Sequence, residues 1–171
     1  MKIHVFSLRL LLLALISTPS FLTSAAQREA EVTFYSGGKY IETGIPGIKH
    51  GYFDGAIFDG QQRVAAIRHG RFFTMHFPPG HQVFSASLSG KHPATYSQLE
   101  LDLVENGQYF IRAVSESRGV VIVDFPKGIL DSVSCQIAQQ ETLNMRPLEE
   151  KHIAQDLISK LSAPTSAPAC K

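Results

Sequence analysis

The sequence predicts a mainly β protein, an antiparallel two-layer β-sandwich of seven to eight strands with one C-terminal α-helix. Three observations lead there. Apolar residues recur with a period of two from Glu29 onward, turn-forming residues interrupt that pattern at short intervals, and a helical period appears only from Pro147. A chain of 171 residues fits one domain of ordinary size. Its 44% hydrophobic and 18% charged residues match globular usage and exclude wholesale disorder and fibrous architectures.

The first element, residues 1–26, starts with Lys2 and Arg9. It continues through Leu10-Leu11-Leu12-Leu13-Ala14-Leu15-Ile16 and closes with Pro19 and the small residues Ser24-Ala25-Ala26. This is the layout of a secretory signal peptide, with cleavage expected before Gln27 or, alternatively, after Ala25. The apolar run falls well short of the roughly 20 residues that a spanning helix needs. No Cys follows it to take a lipid, so a soluble exported protein, periplasmic or secreted, is expected.

The strands follow within a β-sandwich domain over 27–146. Residues 31–35 alternate, with Val32 and Phe34 on one side, and Ser36-Gly37-Gly38 ends the run. Short strands are expected at 52–58, 63–68, 72–77 and 82–88, separated by Asp59-Gly60, His69-Gly70 and Pro78-Pro79-Gly80, which supply turn dihedrals or remove a ladder donor. The clearest strand is 98–104, where Leu99, Leu101 and Leu103 oppose Gln98, Glu100 and Asp102. Asn106-Gly107 turns the chain into 109–114. The run Val120-Val121-Ile122-Val123, apolar on both faces, suits a central strand.

After the strands the period changes. Pro147 suits a first helical turn, Glu149 and Glu150 favour its positive end, and Ile153, Ala154, Leu157, Ile158 and Leu161 share one face, so a helix over 147–161 is expected to dock by that stripe. Residues 162–171, with three alanines and two prolines among serine and threonine, read as a flexible tail. In an oxidising compartment Cys135 and Cys170 are expected to bond. The closed loop of about 36 residues carries roughly 4 kcal/mol of chain entropy. One buried thiol and one free tail thiol is the alternative.

Charge excludes one partner class. Without the leader, 14 basic side chains face 15 acidic ones, and the formal net charge passes from +1 to −1. No basic cluster remains for a nucleic-acid backbone.

The order of the strand with Val32 and Phe34, Asp59-Gly60, Gly70 with Phe72 and Phe73, the turn Pro78-Pro79-Gly80-His81, and Gly107 before Tyr109-Phe110 resembles the bacterial envelope family called domain of unknown function 2846. The resemblance covers roughly residues 30–143. It implies a small exported β-sandwich domain and carries over no catalytic residue, because the family offers none. The missing lipid-attachment Cys departs from its tethered members.

Chemical motifs are sparse. His76 and His81 flank the Pro-Pro-Gly turn and would face each other across a hairpin, which with His92 makes them the candidates for zinc or copper. Their spacing matches no recurrent metal motif, so no metal is expected. Asp54 and Asp59, in two Phe-Asp-Gly units, read as turn residues rather than an acid–base pair. Neither G-x-S-x-G nor a phosphate-cradling glycine motif occurs, and no cofactor or catalytic residue is expected. For carbohydrate, Tyr35, Tyr40, Tyr52 and Tyr96 are the candidates, but Trp is absent and half-buried strand tyrosines are the simpler reading.

The expectation is therefore a non-enzymatic module that binds an envelope protein or cell-surface component through a sheet edge or loop. The irregular stretch 37–50, with Tyr40, Ile41 and Ile45 among glycines, is the expected recognition surface. A small hydrolase or metal enzyme using His76 and His81 is the alternative.

Overall fold

The computed structural model describes residues 28–37, 41–42, 48–118, 126–162 and 170. The expected leader, the run Val120-Val121-Ile122-Val123, and Tyr40 and Ile45 lie outside these residues. No described helix is long and apolar enough to cross a membrane.

Among the described residues, eleven strand segments form two sheets. They are β1 (Ala30–Ser36), β2 (Ile41–Glu42), β3 (Ile48–Gly51), β4 (Gly55–Asp59), β5 (Gln62–Ile67), β6 (Arg71–Phe77), β7 (Gly80–Ser87), β8 (Gln98–Leu103), β9 (Gln108–Arg118), β10 (Lys127–Val133) and, after helix α1 (Cys135–Thr142), β11 (Arg146–Pro147). One sheet runs β11-β6-β1-β9-β3-β2, with β10 also paired to β9, and the other runs β5-β4-β7-β8. Pairing is antiparallel except between β1 and β9 and between β6 and β11. The two sheets face each other, as the alternating sequence predicts.

Alternation explains the core. Val32 and Phe34 of β1 point at the second sheet: Phe34 stacks on Phe73 of the neighbouring β6 at 5.1 Å and meets Phe84 of β7, across the interface, edge-on at 5.2 Å. Each buried side chain of this size contributes about 1.5–3 kcal/mol relative to exposure. The opposite side of β1 is covered as well, because Tyr35, Phe72, Phe110 and Ala138 of α1 form a second buried cluster on the outer surface of the sheet. β1, which the sequence marks only as an alternating strand, is thus a central strand.

Two devices close the flanks. Where β10 meets β7, a Cβ on Gly128 would stand 2.6 Å from the Ala86 carbonyl oxygen, so only glycine lets the sheets converge there. On the opposite flank the C-terminal segment laces the edges of β5 and β6. Leu148 N donates to Phe72 O, Ala154 N to Val64 O, and Ser162 N to Thr74 O, and single bridges join Ile153 to Ala65 and Leu161 to Met75. Edge strands left open invite pairing with other chains, and this segment covers them.

That lacing corrects the helix expected over 147–161. The segment is helical only in two 3₁₀ turns, Glu150–His152 and Gln155–Lys160, with Ile153 extended between them. Its stripe docks as expected, burying Ile153 and Leu157 with Ala154, Ile158 and Leu161 packed beside them, and Leu148, outside the expected stripe, is buried as well. Backbone bonds to the strand edges replace intrahelical ones, which a continuous α-helix would have kept for itself. The α-helix lies earlier, over Cys135–Thr142. Ser134 caps it by accepting from Ile137 N at 3.4 Å.

Candidate functional site

Antiparallel order gathers the starts of β4 and β8 and the ends of β5 and β7 at one end of the second sheet. The end of β1, the β3–β4 junction and the β5–β6 turn meet there. Phe53 anchors this end. It is wholly buried, its carbonyl accepts from the Ser36 hydroxyl at 2.7 Å, and its N–H donates to the same oxygen at 3.3 Å. With Phe53 held inside, its neighbours Tyr52 and Asp54 are turned outward.

Tyr52 is 48% exposed, and its ring centroid lies 3.8 Å from that of His69 in the β5–β6 turn. The pair is fixed from below, because His69 N donates to the Asp54 carboxylate at 2.6 Å. Asp54 also lines a cleft of about 410 Å³ together with Arg63, Arg68, Leu88, Ser89 and Gly90. Arg63 and Arg68 are exposed and have no ion-pair partner among the described residues. A neighbouring hollow of about 320 Å³ shares Leu88 and Ser89 and is bounded by His92, Tyr96 and Pro126. Over the 58%-exposed Tyr96 ring, Lys127 Nζ sits 5.3 Å from the centroid. Aromatic faces and cations without ion-pair partners among the described residues therefore gather around these two hollows.

The sequence candidates scatter. His76 and His81 do not face each other across a hairpin, since Phe77-Pro78-Pro79-Gly80 carries the chain from the first sheet into the second and their strands do not pair. Pro78 and Pro79 offer no donor to continue a ladder, and Gly80 takes φ 125°, open to glycine. The Nε2 of His76 bonds the Ser162 hydroxyl at 2.9 Å in the laced edge. His81 sits on an exposed strand face beside Asp102 at 3.1 Å and Glu100 at 3.9 Å. His92 belongs to the loop end. Among the described residues no three His, Cys, Asp or Glu side chains gather as a metal-ion set. Asp54 and Asp59 stand at opposite ends of β4, and burial raises the Asp59 carboxyl above its ordinary range, partly offset by Lys160.

Of the expected recognition loop, Ile41 lies in β2 opposite His50 of β3, and β3 leads straight into Tyr52. Tyr35 is a core residue whose hydroxyl donates to Glu141 at 2.6 Å, and Arg112 bonds both Glu141 at 2.9 Å and Asp131 at 3.2 Å. Burial opposes the Arg112 charge, but Glu141 and Asp131 outweigh it and hold the guanidinium protonated. This group ties β1, β9, β10 and α1 together. Cys135 and Cys170 are bonded, with their Cα atoms 5.7 Å apart.

Sequence reasoning missed Arg63, Arg68, His69 and Lys127. Three of them are single cations next to a turn or strand end, and the available signal was the cluster Arg68-His69-Gly70 at one turn. No family model, curated protein or solved structure matches this chain.

Proposed function

We propose that this chain is an exported, non-enzymatic β-sandwich module of the bacterial cell envelope that binds its ligand through the loop-rich end. One observation carries the reading: the exposed Tyr52–His69 ring pair stands beside a cleft whose two guanidiniums lack partners among the described residues. Loops on a rigid sandwich are where such modules hold their binding residues. The disulfide and the leader-like residues 1–26 support export, because a paired thiol persists in an oxidising compartment. The residues quoted for domain of unknown function 2846 support an envelope setting. A hydrolytic or metal-dependent role for His76 and His81 has no comparable support, since their strands belong to different sheets.

Retention of solubilised envelope components on the immobilised mature chain tests the reading. A component held by the wild type and by His81→Ala, at a distant site, but released by Tyr52→Ala supports it. Equal retention by all three, or none by any, removes it.

A further inference from the structure

We infer that the cleft at the loop end takes a carboxylated sugar, its acid group held by Arg63 and Arg68 and its ring laid beside Tyr52 and His69. This rests on the binding-module reading above. The charge around the cleft is the first argument. Arg63 and Arg68 line it without ion-pair partners among the described residues, and the single acid beside them, Asp54, is occupied in accepting the His69 N–H. A guanidinium presents parallel N–H donors that match a carboxylate's two oxygens, and a neutral ligand would cover these charges without satisfying them.

The second argument is the ring pair. Tyr52 and His69 present an exposed π surface next to the cationic cleft, and the negative face of an aromatic ring suits the weakly positive C–H face of a sugar. Ser89 and Gly90 line the same cleft, and the Ser89 hydroxyl, which meets the Ser87 hydroxyl at 3.1 Å, keeps capacity for a further hydrogen bond to a sugar hydroxyl. A volume of about 410 Å³ lies in the small-ligand range of about 300–1,000 Å³. A nucleic-acid backbone would need a continuous basic stripe, which two arginines in one cleft do not make.

The full mature chain is titrated with an oligogalacturonate, with neutral maltohexaose and with sodium phosphate, following amide shifts of Gly55, Arg68, Ser89 and Gly90. Saturable shifts with oligogalacturonate, at least tenfold weaker binding of the other two, and at least tenfold loss in both Arg63→Gln/Arg68→Gln and Tyr52→Ala support the inference. The substituted side chains are exposed, and an otherwise unchanged amide spectrum reports folding. Phosphate binding as tightly as the sugar acid, maltohexaose matching it, or no shift at all overturns it. An arginine double variant that still retains the envelope component that Tyr52→Ala releases sinks the sugar-acid inference while leaving the module reading standing.

Discussion

Tyr35 shows how a residue that reads as a candidate ligand contact becomes a structural one. Its ring fills the space under α1 and its hydroxyl donates to Glu141, which also receives Arg112. Burial first, then Glu141, raises the phenol's pKa above its ordinary value near 10. The folded state resists losing that proton, so the stability tied to Tyr35 is fully present below about pH 10 and is lost as pH rises through the raised folded value. Tyr35→Phe should cost about 1.5 kcal/mol at pH 7, the low end for a hydrogen bond to a charged partner, because Glu141 is partly open to water. It should also flatten the loss of stability above pH 10. Urea midpoints measured from pH 7 to 11 check both, and an unchanged alkaline slope would remove the assignment.

At the scale of elements, the C-terminal segment decides whether two sheet edges are open. Its buried side chains Leu148, Ile153 and Leu157 seat it, and its N–H groups satisfy carbonyls of β5 and β6. Leu157→Ala should therefore destabilise by about 2–3 kcal/mol, the low end for removing a buried leucine. Hydrogen exchange should speed first at the Leu148 and Ala154 amides, which are the donors to Phe72 and Val64. Uniform acceleration across both sheets would mean that the segment is not a separable clasp. The apolar stripe was legible because its spacing requires only that those residues meet a core. The backbone that carries it was not, since 3₁₀ turns with an extended joint place the same residues against the sheets. Helix α1 was obscured for a related reason: only Ala138 and Thr142 of it are buried, too narrow a stripe to stand out.

For the whole molecule, the Cys135–Cys170 bond joins the first residue of α1 to the far end of the chain and encloses the clasp. Replacing both cysteines by serine should cost about 2–4 kcal/mol by relaxing the unfolded chain, read from urea unfolding of the oxidised protein. A variant with the same midpoint as the wild type would show that the clasp alone fixes the tail. The charge distribution also belongs to this scale. A net charge near zero hides a cationic and aromatic end, because composition sums over positions that the fold separates.

The sequence by itself determined the layered β architecture, the punctuation of its turns, the apolar stripe of the last segment and the expected cysteine pair. Each depends on short spacings or on composition, which local chemistry fixes. Only the tertiary structure decided that β1 lies parallel beside β9, that His76 and His81 occupy different sheets, that Tyr52, Arg68 and His69 share one end, and that Arg63, from the start of β5, lines the same cleft as Arg68. Those neighbourhoods join residues separated by many turns, and a spacing rule carries no information about which strands pair across such distances.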